Sequence, residues 1–74
     1  MKILKYLNED NFKIVYENNL LNINNFKEII LISENKIILK EEKEINIIGE
    51  NMTILKLLDN EILINGLINK IEIR

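Results

Sequence analysis

The sequence predicts an all-β fold, a small antiparallel β-sandwich or roll of about seven short strands. Two observations lead to this prediction. The apolar residues are mostly isoleucine, whose β-branched side chain favours a pleated strand. From residue 12 onward, apolar and polar residues alternate with a period of two, and polar turns interrupt the pattern about every ten residues. Turns this short join strands that lie antiparallel to each other.

A chain of 74 residues is long enough for one small domain. We divide it into an N-terminal segment, residues 1–11, and a single β domain, residues 12–74. Helical spacing occurs only in the first segment, at Ile3, Leu4 and Leu7. This spacing indicates either one short N-terminal helical turn or the end of a strand.

The β domain has several segments with strand character, separated by turns rich in Asn, Asp, Glu and Gly. In chain order they are residues 12–16, 21–24, 29–32, 36–40, 45–48, 52–58, 62–64 and 67–73. The third segment is apolar on both faces, so we predict that it is a central strand.

A short pattern repeats along the domain. Residues 44–49 resemble residues 61–66, and residues 21–25 are a weaker copy. In each copy an alternation of two apolar residues is followed two positions later by Asn25, Gly49 or Gly66, residue types that tolerate positive φ. We therefore predict a structural turn or bulge at these three positions. A two-residue hairpin turn is an alternative at the last of them.

The composition leaves little room for catalysis. The chain has no cysteine and no histidine, which removes thiol nucleophiles, zinc-finger spacings and the usual general base. The one serine, Ser33, has no histidine partner. We predict that the protein is not an enzyme and has no catalytic, cofactor-binding or metal site. The glutamates of residues 41–50 are interspersed with lysines, which favours a solvated turn over a cation site.

The charge and hydropathy patterns bear on partners and location. The net charge is −2 and there is a single arginine, Arg74, so we expect no nucleic-acid binding. Two roles are open for the aromatic residues of the domain. They pack in the core or, as the alternative, form a platform on which bases stack; the residues are Phe12, Tyr16 and Phe26. No apolar run approaches the roughly 20 residues of a membrane-spanning helix, and no signal-peptide core follows Met1. We expect a cytoplasmic protein without direct membrane insertion.

One segment predicts an interface with a partner or a second copy. The longest apolar run in the sequence consists of Ile29, Ile30, Leu31 and Ile32. Because side chains alternate between the faces of a strand, two of the four point away from the core. Either Ile29 and Leu31 or Ile30 and Ile32 form this outward pair. We predict that a partner protein or another copy of the chain covers it.

The segment from Leu21 to Ile73 resembles the YabP/YqfC family of small endospore-formation proteins. The family pattern is an apolar alternation that ends in glycine, is repeated, and closes with I-x-G-x-I-x-x-I. The residues that carry the resemblance are Leu21, Ile23, Asn25, Ile29, Ile32, Ile45, Ile47, Gly49, Met52, Ile54, Leu57, Glu61, Ile62, Ile64, Gly66, Ile68 and Ile71. Asn25 stands where family members usually carry glycine, and the N-terminus lacks the basic lead segment of longer members.

The resemblance implies a non-catalytic sporulation protein made in the mother-cell compartment. It further implies a small assembly or docking module that works with a membrane-bound sporulation protein at the forespore membrane surface. Two alternatives come from other functional classes: a small β-barrel nucleic-acid binder and a self-assembling β scaffold. A long unpaired apolar strand edge would favour the scaffold.

Overall fold

A computed structural model of the chain describes residues 12–74. These residues form six β-strands and no helix, which confirms the all-β, antiparallel prediction. The strands are β1 (Lys13–Glu17), β2 (Leu20–Asn24), β3 (Glu28–Ile32), β4 (Lys36–Lys40), β5 (Glu44–Leu58) and β6 (Glu61–Ile73). The predicted N-terminal helical turn lies outside the described residues.

The described residues contain six strands rather than about seven because two predicted breaks lie inside strands. Residues 49–51 lie within β5, and Asn65 and Gly66 lie within β6. The two strands pair along almost their whole length, and the ladder shifts register where the breaks were expected. The extra residues near positions 49–52 form irregularities such as β-bulges, and the pairing of the two strands resumes beyond them.

All six strands form one sheet in the order β1-β2-β6-β5-β4-β3. β2 pairs with the first five residues of β6, and β4 pairs with the first five residues of β5. The sheet therefore has two parts. We call layer 1 the part made of β1, β2, residues 53–58 of β5 and residues 61–65 of β6. Layer 2 consists of β3, β4, residues 44–48 of β5 and residues 67–73 of β6.

The core lies between the two layers. Eight side chains are at most 1% exposed and belong to one apolar cluster. Layer 1 contributes Leu21, Ile23, Ile62 and Ile64, and layer 2 contributes Ile37, Leu39, Ile45 and Ile47. A straight strand of 15 residues would measure about 50 Å, but the longest dimension of the molecule is 40 Å. β5 and β6 must therefore bend, which folds the sheet over its own apolar face.

Gly49 and Gly66 lie where β5 and β6 pass from one layer to the other. A Cβ atom on Gly49 would lie 2.5 Å from the carbonyl oxygen of Leu67, and one on Gly66 would lie 2.9 Å from the Cα atom of Met52. Both distances are too short for carbon, so the backbones approach this closely only because side chains are absent. Gly66 has a φ of 158°, and the ladder shifts register between Ile48 and Gly49.

Asparagines supply the other unusual backbone conformations. Asn18 and Asn19 form the turn between β1 and β2, with φ values of 53° and 61°. Asn25 follows β2 with a φ of 69°, and its N–H donates to the carbonyl oxygen of Asn60 at 2.6 Å. Asn51 has a φ of 51° at the bend of β5. Asparagine tolerates this region better than other residues with a Cβ atom, so it suits these corners.

The hydroxyl group of Tyr16 ties β1 to the bend of β6. It accepts from the N–H of Ile68 at 3.2 Å, and its single proton has two acceptors within reach, the carbonyl oxygen of Gly66 at 3.4 Å and the side-chain oxygen of Asn19 at 3.3 Å. The ladder between β2 and β6 ends at Asn65, and the hydroxyl group contacts the backbone of β6 just beyond that point.

We expect Tyr16→Phe to lower the free energy of unfolding by about 1 kcal/mol, because it removes these contacts and leaves the ring. Urea denaturation of both proteins measures the difference. Val15→Ala in the same strand is the control, since Val15 is exposed and belongs to no such contact. A loss no larger than that of the control would show that the hydroxyl contacts contribute nothing.

Candidate protein interface

The apolar run of residues 29–32 occupies β3, which is an edge strand of the described sheet and not the predicted central strand. A bulge interrupts its pairing with β4 between Ile29 and Leu31. A bulge brings successive side chains towards the same side, so an apolar run can reflect an irregular edge as well as a strand buried on both faces.

Three of the four side chains in this run are substantially exposed, where strict alternation gives two. The exposed fractions are 47% for Ile30, 41% for Leu31 and 42% for Ile32, while Ile29 is half-buried against the core. Ile32 is paired with the fully buried Ile37, so its side chain points to the core side and is exposed because it lies at the open edge.

A second edge lies in layer 1. Residues 53–58 of β5 pair with β6 on one side and have no strand of the described sheet on the other. Leu55, Leu57 and Leu58 are 52%, 48% and 52% exposed. Leu55 lies at a further register shift, between Ile54 and Lys56. None of these leucines was assigned to a site from the sequence; the signal that could have identified them is the broken alternation on either side of Lys56.

The two apolar edges border one open groove. Its volume is about 750 Å³, and its lining includes Glu28 and Ile29 of β3 and Leu57 and Leu58 of β5. Phe26, which is buried, contributes to the wall of the groove. Of the exposed apolar side chains on the two edges, Leu57 and Leu58 line this groove, while Ile30, Leu31, Ile32 and Leu55 lie outside its lining.

A polar network lies on the outer face of layer 1. The amide nitrogen of Asn22 donates to the carboxylate of Glu61 at 3.1 Å, and the ammonium group of Lys56 lies 3.6 Å from the same carboxylate. The hydrogen bond from Asn22 is the main cause that lowers the pKa of Glu61, and Lys56 lowers it further while partial burial opposes both. This network places polar and charged groups on the outer face of layer 1 next to its apolar edge.

The lowered pKa makes part of the stability depend on pH. The native state binds a proton at Glu61 less readily than the unfolded state does. The stability that ionised Glu61 contributes is therefore fully present above the ordinary glutamate pKa, and it is lost as the pH falls through the lowered pKa. We expect Asn22→Ala to raise the pKa of Glu61 towards 4.5, as measured by NMR titration. Glu72, whose pKa is lowered mainly by Arg74, is the internal control and should not change. An unchanged Glu61 pKa would contradict this assignment.

Three of the glutamates considered as a cation site accept hydrogen bonds from neighbouring groups. Glu41 accepts from the N–H of Glu42, Glu44 from the amide of Asn46, and Glu50 from the amide of Asn69. Within residues 12–74, no group of three or more acidic, histidine or cysteine side chains is placed to hold a metal ion.

The aromatic residues do not form one exposed platform. Phe26 is 3% exposed, Phe12 packs partly buried against the core, and Tyr16 contacts the backbone of β6. Their placement thus removes the geometric basis for base stacking by these three rings together.

Comparisons with protein-family models, with curated proteins and with solved structures found no match to the chain. The resemblance to the YabP/YqfC family therefore rests on the quoted residues alone. Among residues 12–74, the structure contains no helix with the length and apolar character needed to cross a bilayer.

Proposed function

We propose that the chain is a non-catalytic docking module of the YabP/YqfC type, which acts in endospore formation by binding a protein partner. One observation carries the docking role. Of the eleven large apolar side chains that are exposed among the described residues, six lie on the two apolar edges of the described sheet, and two of the six, Leu57 and Leu58, line the groove. The six are Ile30, Ile32 and Leu31 of β3 and Leu55, Leu57 and Leu58 of β5. Apolar surface concentrated in this way is typical of a protein interaction site.

The residues that carry the family resemblance are mainly those that shape the fold. Nine of them form the buried core or the bend of the sheet, and Asn25 forms the turn that follows β2. The nine are Leu21, Ile23, Ile45, Ile47, Gly49, Met52, Ile62, Ile64 and Gly66. A pattern made of core and bend residues specifies how a sheet folds over itself and leaves the exposed edges free to differ. The resemblance is therefore the support for the sporulation role, and the exposed strand edges are the support for docking.

We assign the partner to the class that the resemblance implies, a membrane-bound sporulation protein at the forespore. The module itself would be cytoplasmic, in the mother cell, and would reach the membrane surface through that partner. The edge of β5 suits this contact, since its three leucines stand next to the polar network of Asn22, Lys56 and Glu61. An apolar centre with a polar rim is the common composition of protein interfaces.

The test is complementation of a deletion strain of the bacterium that encodes the protein. We expect deletion to reduce the number of heat-resistant spores, and Leu58→Glu, which changes a leucine that lines the groove, to fail to restore it. Leu67→Glu is the matched control, because Leu67 and Leu58 are both 52% exposed but Leu67 lies on β6, away from the groove. In cell fractions, wild type and control should sediment with the membranes, and Leu58→Glu should not. Normal sporulation without the gene would contradict the proposal.

The nucleic-acid binder remains the alternative from another class, and we expect it to fail. The charge balance does not favour phosphate binding, because the chain carries 12 acidic and 10 basic side chains. Fluorescence anisotropy with labelled single-stranded and duplex DNA should show no binding at micromolar protein and physiological salt. Binding that weakens steeply with added salt would favour the alternative.

A further inference from the structure

We infer that β3 pairs with β3 of a second copy of the chain, in an antiparallel and two-fold symmetric arrangement. This inference goes beyond the proposed function and concerns a different edge from the one assigned to the partner. β3 has β4 on one side and no described strand on the other, so its backbone can accept another strand. Exposed edges of this kind are the usual sites of strand addition.

The charges that flank β3 favour a copy of the same strand. Lys27 precedes the apolar run and Glu34 follows it; both are exposed, and neither forms an ion pair with another described residue. A two-fold axis between Ile30 and Leu31 places residues at equal distances from that point opposite each other. Lys27 of each copy then lies across from Glu34 of the other, and this opposite-charge contact occurs twice.

Other pairings of the same edge lose this opposite-charge contact. A parallel arrangement in register would place Lys27 against Lys27 and Glu34 against Glu34. An antiparallel register shifted by one residue would place Glu28 against Glu34 in one direction and Lys27 against Ser33 in the other. Like charges directly opposite each other are destabilising, so the charge pattern favours the antiparallel register centred between Ile30 and Leu31. The bulge of β3 lies at this centre, where two-fold symmetry sets the same irregularity of the second copy against it.

The edge of β5 does not offer the same self-complementarity. Its one basic residue, Lys56, is already paired with Glu61 of its own chain. Pairing through β3 alone uses the same edge of both copies, so it closes at two chains and does not extend into a filament. It would also cover Ile30, Leu31 and Ile32 and leave the leucines of β5 available.

The test is the mass of the purified full-length chain by light scattering and sedimentation over a range of concentrations. We expect twice the monomer mass of 8.8 kDa, with dissociation at low concentration and at high salt. Lys27→Glu and Glu34→Lys should each raise the dimer dissociation constant roughly tenfold, because each replaces two attractive contacts by two repulsive ones. The double variant that exchanges the two charges should restore dimerisation.

Lys13→Glu is the matched control, since Lys13 is an exposed lysine on β1 in the other layer. It makes the same change of net charge as Lys27→Glu and should leave the dimer intact. Circular dichroism melting of each variant separates loss of pairing from loss of folding. A monomer at every concentration, larger assemblies, or a double variant no better than the single ones would each overturn the inference. These measurements need no partner, so they do not depend on the sporulation test.

Discussion

Gly49→Ala is expected to lower the free energy of unfolding by about 2–3 kcal/mol, the range of changes that force a backbone shift. The added Cβ atom would lie 2.5 Å from the carbonyl oxygen of Leu67, which belongs to the backbone of the paired strand and cannot turn aside. Relief requires β5 and β6 to separate at the bend where the two layers meet. For a domain of this size, the melting temperature should fall by roughly 10–20 °C.

Thr53→Ala is the control for this prediction, because Thr53 is an exposed residue of the same strand beyond the bend. Gly49→Val should be more damaging than Gly49→Ala, and Gly66→Ala should also destabilise, since its Cβ atom would lie 2.9 Å from the Cα atom of Met52. If the three glycine variants melted like the wild type and the Thr53→Ala control, the role assigned to the bend would be contradicted.

Ile47→Ala should lower the free energy of unfolding by about 2–5 kcal/mol, the usual cost of truncating a buried isoleucine. Ile47 is fully buried, and its neighbours on the adjacent strands are Ile37 and Ile71. The layers meet around this side chain, so they have little freedom to collapse into the space left. Small domains have modest total stability, and a loss near the upper end would leave part of the population unfolded at room temperature.

Chemical denaturation followed by circular dichroism measures this loss. Ile73→Ala makes the same chemical change at a side chain of β6 that is 55% exposed, and it should cost less than about 1 kcal/mol. Equal losses for the two variants would show that the core is not where the structure places it.

The strands could be predicted from sequence because the alternation of isoleucine with polar residues is a local signal. Leu21, Ile23, Ile62 and Ile64 follow it, and all four are buried. The continuity of β5 and β6 could not be predicted in the same way. A glycine after two alternating isoleucines looks the same at a turn and at a bend, and the difference depends on pairing between distant residues.

The candidate interface could be predicted only in part. The length of the apolar run at residues 29–32 drew attention to β3, but its place at the edge follows from the strand order, which no local pattern contains. The bulge that breaks the alternation of side chains in β3 depends on the register with β4. Leu55 was missed because its exposure depends on where β4 stops pairing with β5.

The pairing of β2 with β6 has a consequence for how the chain folds. β3, β4, β5 and β6 follow one another and pair with their neighbours along the chain, whereas the hairpin of β1 and β2 joins the far side of β6. Tyr16 and Ile68, which make contact there, are 52 residues apart. Bringing such distant segments together costs loop-closure entropy before the contacts form, which slows folding. The hairpin of β1 and β2 comes first in chain order, but its apolar face can be buried only after β6, the last strand, is in place.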